Sequence, residues 1–254
     1  MRAFVHLEVD DGVGVIRLDR PPANAIDLKV GVELQEAIRE ASERADVGAL
    51  VLWGGPKLFA AGADIKAMAE WTAEQVRPSV EALGDVCDLL EEIPKVSIAA
   101  ITGYALGGGL ELALGCDLRY LSDEARVGQP EVRIGVIPGA GATQRLARLI
   151  GPGATRRLVY TGDQVDASTA HSLGIAQEVM PASEVFDAAV RDARRFARGP
   201  REALAAAKRA IRAAEADREG FRTERRLFLD LFGTADQREG MRSFLEKREP
   251  RFEP

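Results

Sequence analysis

Residues 96–112, VSIAAITGYALGGGLEL, contain the pattern that decides the fold. Residues 96–102 form a mostly apolar run, which is typical of a strand that is buried on both faces. Three glycines at 107–109 follow, and residues 110–115 have the apolar spacing of a helix. A buried strand that leads through glycines into a helix predicts an α/β fold, in which helices cover a sheet.

The segments on either side continue this alternation of strands and helices. Around the Asp10-Asp11-Gly12 turn, two alternating segments predict a β-hairpin. Gly54 to Ala63 is a loop rich in polar residues and glycine, and a long helical stretch is predicted from there to about Glu92. The further elements are strands at Ala49–Trp53 and Asp117–Leu121 and a helix at Leu28–Arg44.

Beyond Pro181 the pattern is helical only. We predict helices at Glu184–Arg198, Arg201–Ala216, Gly220–Phe232 and Ala235–Arg248. The Gly199-Pro200 pair separates two of them and is a natural boundary. The chain is therefore predicted to have an α/β core at 1–199, with the active site, and a helical region at 200–254.

The composition is that of an ordinary globular protein, and 254 residues can bury a substantial core without a disulfide or a metal. Two cysteines, Cys87 and Cys116, form no ligand-like cluster and fit a reducing compartment. With His6 and His171 as the only histidines, a histidine-rich metal site is excluded. The N-terminus resembles no signal peptide, and no apolar run is long enough to span a membrane, so we expect a cytoplasmic protein.

The net charge of −6 is unevenly distributed. From Arg191 onward there are 17 basic and 12 acidic residues, so the C-terminal part is positive. Two interpretations stay open: solvated helix faces with ion pairs, or a few cations that meet a phosphorylated ligand. Nucleic acid is not an expected partner, because acids are interleaved with the basic residues and no recognition motif accompanies them.

Two glycine-containing loops follow predicted buried strands, at residues 59–66 and 107–112. Glycines before a helix leave amide N–H groups free, and such groups favour developing negative charge. A phosphate cradle would lack the Gly-Lys-Ser/Thr ending of a nucleotide loop, and close helix–strand packing is a second alternative. The third is an oxyanion hole, with one N–H from Ala63 and the other from Gly108.

Two carboxylates are candidates for acid–base chemistry. Glu111 lies one turn into the helix that Gly108 opens, and Glu131 follows Pro130, which stiffens the chain before it. Carboxylates that face one cavity can divide the work, because one takes a proton from water while the other gives a proton to carbon. Their mutual repulsion would raise one of the two pKa values.

The two glycine loops and the segments around both glutamates, taken together with further segments of the chain, resemble the enoyl-CoA hydratase (crotonase) family. The resemblance covers nearly the whole chain, from about residue 20 to residue 248. The matching segments are Arg20–Ala25, Phe59–Lys66, Gly103–Leu112, Gly128–Glu131, Ile137–Leu146 and Gln237–Arg248.

The resemblance implies a spiral of repeated ββα units with a helical C-terminal region that forms trimers, and usually a hexamer of two trimers. It implies that Ala63 and Gly108 bind the thioester carbonyl. It also implies a set of residues along coenzyme A, of which the last two approach it from a neighbouring subunit in some members. This set is Ala23, Ala25, Ala63, Asp64, Ile65, Lys66, Gly108, Phe244 and Lys247.

Glu111 and Glu131 match both catalytic glutamates of the hydratases, whereas isomerases of the family generally keep one. The resemblance thus implies a lyase that hydrates trans-2-enoyl-CoA, the reaction used in fatty acid β-oxidation, with no metal or further cofactor. Alternatives are an enoyl-CoA isomerase, a hydratase of a branched or aromatic acyl-CoA, and a non-catalytic acyl-CoA binder. Three residues after the first loop, Met68, Trp71 and Val76, are interpreted as core rather than acyl pocket.

Overall fold

The computed structural model describes residues 2–214 and 218–251. Its first two strands, β1 (Val5–Asp10) and β2 (Val13–Leu18), pair antiparallel and close on a two-residue turn. Asp11 and Gly12 both have positive φ in this turn, 47° and 81°. A two-residue turn of that kind matches the twist of the flanking strands, so the predicted hairpin is confirmed.

A six-stranded sheet forms the centre of the described structure, in the order β1-β2-β3-β4-β6-β9. Every neighbouring pair after the hairpin is parallel. A second sheet of three short strands has the order β5-β7-β8. The remaining strands are β3 (Ala49–Trp53), β4 (Val96–Ile101), β5 (Tyr104–Leu106), β6 (Leu118–Ser122), β7 (Arg126–Gly128), β8 (Gln164–Asp166) and β9 (Glu178–Met180).

Helices cover both faces of the large sheet, as expected where parallel strands are apolar throughout. On one face α1 packs against α3, and on the other α7 packs against β3 and β4. The helices are α1 (Leu28–Glu43), α2 (Ile65–Met68), α3 (Ala73–Glu92), α4 (Gly108–Leu114), α5 (Ala142–Thr161), α6 (Ala167–Ser172), α7 (Val185–Ala197), α8 (Arg201–Ala214), α9 (Arg218–Leu231) and α10 (Ala235–Glu246). The predicted α/β class is therefore confirmed.

One of the predicted helices differs from the prediction. The single helical stretch predicted up to Glu92 is divided into α2 and α3, because Thr72 and Gln75 form a capping box that starts a new helix. Helix α4 begins at Gly108, as predicted, so two glycines lie in its first turn.

The C-terminal helices pack on the α/β core. Lys208 of α8 reaches the core strands, and its Nζ lies 2.8 Å from Asp117 Oδ2. Helix α9 packs on α3 and α5, and α10 packs on a 3-10 helix at Glu131–Ile134. Residues 215 and 216, at the end of the helix predicted at Arg201–Ala216, lie outside the described residues. The division into 1–199 and 200–254, with trimerisation by the second part, stays a prediction.

Within the described ranges, no helix combines the length and the apolar character that crossing a lipid bilayer requires.

Candidate active site

A cavity of about 440 Å³ lies where the two glycine loops meet α3, α9 and the 3-10 helix. Its wall is mostly apolar, with a few converging polar groups, as is usual for a small-molecule site. Seven of the residues predicted for the site line it: Ala63, Asp64, Ile65, Gly108, Glu111, Glu131 and Phe244. Segments far apart in sequence therefore meet in one place.

The amides of Ala63 and Gly108 lie on facing loops of this cavity. A side chain built on Gly108 would place its Cβ 4.0 Å from the Ala63 nitrogen, so the two loops are close neighbours. Gly108 is the first residue of α4, where an N–H has no partner within the helix. Among the described residues, neither N–H donates to a backbone carbonyl. Two unused amides in a cavity can stabilise an oxyanion.

Gly107 and Gly109 allow this loop to approach its neighbours. Gly107 has φ 52° and ψ −125°, and a Cβ there would lie 2.7 Å from Glu131 Oε1. A Cβ on Gly109 would lie 2.2 Å from the carbonyl oxygen of Ala60, in the other glycine loop. Any side chain at these positions would therefore push apart the groups that form the site.

Glu111 is buried, with 3% of its surface exposed. Its Oε1 accepts hydrogen bonds from the backbone N–H groups of Ala140 and Ala142, at 2.8 and 3.1 Å. A Cβ built on Gly108 would lie 4.0 Å from its Oε2, so the other oxygen faces the oxyanion loop. One oxygen of Glu111 is thus anchored, and the other lies close to Gly108.

Glu131 reaches the same cavity because two parallel strands end side by side. Leu106, at the end of β5, pairs with Gly128 at the end of β7, and Gly107 N donates to Gly128 O at 2.9 Å. After β5 the polypeptide continues into α4, and after β7 it continues into the 3-10 helix that begins at Glu131. The pairing of β5 with β7 therefore brings together two glutamates that are 20 positions apart in the sequence.

The two carboxyl groups differ in how strongly their pKa values rise. Burial raises the pKa of Glu111, but the N–H groups of Ala142 and Ala140 and the charges of Arg145 and Arg225 oppose this rise. Such donors and cations favour the ionised form of a carboxyl group.

At Glu131, burial and the nearby charge of Glu111 raise the pKa well above its usual range, and Glu224 adds to the effect. Among the described residues, no cation is one of the groups that act on the pKa of Glu131. The environments therefore favour an ionised Glu111 beside a protonated Glu131, the arrangement that divides acid from base.

Apolar side chains from α2, α3 and α9 form the wall beyond the carboxyl groups. Met68, Trp71 and Val76, interpreted above as core, pack in a buried apolar cluster and also line the cavity. Val80 and Phe228 belong to both sets as well. The core and pocket interpretations thus describe the same residues.

The predicted coenzyme-binding turn lies beside the first glycine loop. Ala23 O accepts from Ala61 N at 3.0 Å, and Arg20 donates to Ala25 O at 2.6 Å. Buried Asn24 has φ 48° and donates to the carbonyls of Gly54 and Phe59, which fixes the turn. The turn itself does not line the cavity.

Two predicted lysines are exposed and lie outside the cavity wall. Lys66 lies on α2, next to the lining residue Ile65. Lys247 ends α10 with φ 54°, three residues after Phe244, which is 55% exposed at the cavity. Phe244 thus lines the cavity of its own chain.

Sequence reasoning missed three side chains that support the carboxyl groups. The buried amide of Gln129 lies against Glu131, and with its NH2 turned toward this carboxyl group it would donate to Oε2 and Oε1 at 3.0 and 2.9 Å. Arg145 donates to Ala140 O at 2.8 Å, and Glu224 accepts from backbone amides beside Glu111. Gln129 and Arg145 lie within sequence segments that resemble the family, whereas nothing in the sequence around Glu224 indicates a role.

Comparison with known proteins gives consistent results. The family model described as enoyl-CoA hydratase/isomerase matches residues 8–254. A protein of Mycobacterium bovis, described as a probable enoyl-CoA hydratase, is 42% identical over 97% of this chain and 96% of its own. The mitochondrial enoyl-CoA hydratase of Pongo abelii is 41% identical over 94% of this chain and 83% of its own.

Solved structures show the same fold. An enoyl-CoA hydratase from Bacillus halodurans has a TM-score of 0.88 at 26% identity, covering 95% of this chain and all of the other. One from Mycobacterium avium subsp. paratuberculosis has a TM-score of 0.89 at 24% identity, over 99% of both chains, which bears on the fold alone. With the sequence matches, these results establish that the chain belongs to the enoyl-CoA hydratase/isomerase family of enzymes.

Proposed function

We propose that the protein hydrates a trans-2-enoyl-CoA to the 3-hydroxyacyl-CoA, and catalyses the reverse dehydration. The observation that carries the proposal is the pair of buried carboxyl groups, Glu111 and Glu131, which face one cavity and whose pKa values are raised to different extents. The names of the relatives support the same reaction class.

The thioester carbonyl would lie between the amides of Ala63 and Gly108. Addition of water at Cβ moves an electron pair toward this carbonyl oxygen, which becomes an enolate oxygen. Two amide donors stabilise that charge, and losing one donor of such a pair costs about 3–4 kcal/mol of transition-state stabilisation. They also set the register of the acyl chain, because the carbonyl position determines where Cα and Cβ lie.

Each carboxyl group then transfers one proton. Ionised Glu111 takes a proton from the water whose oxygen forms the new C–O bond at Cβ. Protonated Glu131 gives its proton to Cα as the enolate collapses, so that H and OH have been added across the double bond. The proton left on Glu111 and the charge on Glu131 are restored by exchange with water before the next turnover.

The test is to mix purified protein with crotonyl-CoA and follow the absorbance of the conjugated thioester. We expect the absorbance to fall with wild type and to stay constant with Glu131→Gln, because an amide of the same shape has no acidic proton to give to Cα. Circular dichroism controls for folding of the variant. Undiminished turnover by folded Glu131→Gln would remove Glu131 from the mechanism.

The alternatives predict different products. An enoyl-CoA isomerase would convert 3-enoyl-CoA to 2-enoyl-CoA without water addition, and a non-catalytic binder would hold acyl-CoA without turnover at any chain length. A panel of straight, branched and aromatic enoyl-CoA esters distinguishes these from the proposed hydratase. The apolar wall of Met68, Val80 and Phe228 is the feature that this panel examines.

The remaining expectations are part of this proposal. Coenzyme A is part of the substrate, no metal or other cofactor takes part, and the protein acts in the cytoplasm as a homotrimer or a hexamer of two trimers. Light scattering after size exclusion measures the assembly. The segments at 23–25 and 63–66, with Phe244 and Lys247, are the proposed coenzyme contacts.

A further inference from the structure

Four successive backbone amides at the start of α5 are shared alternately by two buried carboxyl groups. Glu111 Oε1 accepts from residues 140 and 142. Glu224 Oε1 accepts from Gly141 N at 2.5 Å, and its Oε2 accepts from Thr143 N at 2.6 Å. The stretch 140–143 is therefore held by a carboxyl group on each side.

Glu224 does not belong to the cavity. It lies on α9, is 3% exposed, and is absent from the cavity lining, whereas Phe228, one helical turn later, is part of it. Gly141 is the N-cap of α5 and has no side chain to cap the helix. Glu224 supplies that cap from more than 80 residues away.

We propose that Glu224 is a positioning residue for Glu111. It holds the two amides that Glu111 does not use, and thereby keeps the N–H groups of Ala140 and Ala142 aimed at the Glu111 carboxylate. This inference rests on the proposed function, because the effect on turnover follows from the role of Glu111 as base.

The physical argument depends on the alternation. Successive peptide planes in this stretch point to opposite sides, so a rotation that turns Gly141 N–H away from one side also moves its neighbours. If Glu224 is lost, the two N–H groups that it accepts have no acceptor, and the backbone can relieve this by rotating. The same rotation would withdraw donors from Glu111. Burial and the charge of Glu111 raise the pKa of Glu224 to about 8, which fits two carboxyl groups in competition for one set of backbone dipoles.

An ordinary structural cap is the alternative, since Glu224 also stabilises the end of α5. The matched control is Glu33 of α1, which is 6% exposed and accepts from the N–H groups of Ala3, Phe4 and Val5 through one oxygen. It is likewise a buried carboxylate bound to consecutive amides, but it lies outside the cavity wall. Glu33→Gln should therefore cost stability without changing turnover.

Glu224→Gln keeps the shape but turns an NH2 toward one of the backbone donors. We expect kcat for crotonyl-CoA to fall at least tenfold, since small misplacements of catalytic groups have large effects on rate. KM should stay within twofold, because no lining residue changes. Glu33→Gln should lower Tm comparably and leave kcat within twofold. If Glu224→Gln is not recovered folded, Glu224→Asp is measured in the same way, with the same expected division between kcat and KM.

Two further measurements distinguish positioning from general stability. In a Glu111→Gln background, adding Glu224→Gln should change the residual kcat less than twofold, because the group it positions is already gone. Hydrogen exchange of ligand-free protein should show faster exchange at residues 140–143 in Glu224→Gln than in wild type or Glu33→Gln. Unchanged kcat in a folded Glu224 variant, an equal loss of kcat in Glu33→Gln, or full additivity with Glu111→Gln would overturn the inference. Absence of turnover in wild type would instead overturn the proposed function, and the exchange measurement would still test the coupling.

Discussion

The surroundings of Glu111 and Glu131 differ in kind, although both carboxyl groups face one cavity. Glu111 is bound by two backbone amides, and the pull of Arg145 and Arg225 favours its charge. Glu131 has a glycine against one oxygen and an amide side chain against both, and no cation in the described part of the chain is among the groups that act on its pKa. One region is built to hold a charge, and the other makes a charge costly. This difference supports the proposed division of roles, with Glu111 as base and Glu131 as acid.

Replacing the base should have the largest effect on this difference. Glu111→Gln keeps the volume, but its amide cannot take a proton from water, and an NH2 at the anchored position would face the donors of Ala140 and Ala142. We expect a loss of about 10³-fold in kcat, within the usual range for a general base. Steady-state kinetics with crotonyl-CoA measures it. If Glu111→Gln kept most of its turnover while Glu131→Gln lost it, Glu111 would not be the base, and the reaction would depend on Glu131 alone.

Gly107→Ala should damage the Glu131 region alone. The new Cβ would lie 2.7 Å from Glu131 Oε1, at a backbone position with φ 52° that side chains rarely adopt. Displacing Glu131 by about an ångström should lower kcat about 10²-fold. Hydrogen exchange at residues 140–142, beside Glu111, should stay unchanged.

The control for this substitution is Gly174→Ala. Gly174 also has a positive φ, 86°, but a Cβ there meets no atom within 4 Å. It carries the same kind of backbone cost without touching the site, so its kcat should match wild type. Equal losses of kcat in the two variants would mean that backbone strain, and not contact with Glu131, explains the effect.

Short-range features of the site could be predicted from the sequence, and long-range ones could not. Gly108 and Glu111 lie within one turn of the same helix, so their proximity follows from helix geometry. Glu131 required the resemblance, since the pairing of β5 with β7 that brings it near is not visible in either short strand. Glu224 is on an amphipathic helix, where an acidic residue normally indicates a solvated face. Its partners lie 83 and 81 residues away, a separation that no local pattern specifies.

The division of the predicted long helix shows a different kind of failure. Thr72 followed three residues later by Gln75 is the sequence signature of a capping box, and the structure contains both of its hydrogen bonds. The sequence thus contains the capping-box pattern, but apolar residues at helical spacing continue on both sides of it, and this spacing favoured a single helix. The break matters for the site, because α2 carries Met68 to the cavity wall, and Trp71 reaches the same wall from the connection before α3.

Gln129→Met should have a smaller effect on kcat than Glu111→Gln or Gly107→Ala. It tests the surroundings of Glu131 through the pH dependence of kcat/KM. The wild-type pair should give a bell-shaped profile of kcat/KM: activity falls at low pH when the base is protonated, and at high pH when the acid has lost its proton. Because the pKa of Glu131 is raised, the alkaline limb belongs mainly to this group and lies well above the usual range of a glutamate.

An NH2 that donates to Glu131 favours its charged form, so removing this donor should raise the pKa further. The alkaline limb of Gln129→Met should therefore move to higher pH, with a loss in kcat of less than about tenfold. Methionine keeps the length of the side chain, so the cavity wall near Glu131 should keep its shape. A shift of the limb to lower pH would mean that the amide turns its oxygen, not its NH2, toward a protonated Glu131. The direction of the shift thus reports which state of Glu131 this buried amide stabilises, and with it how the acid is kept apart from the base.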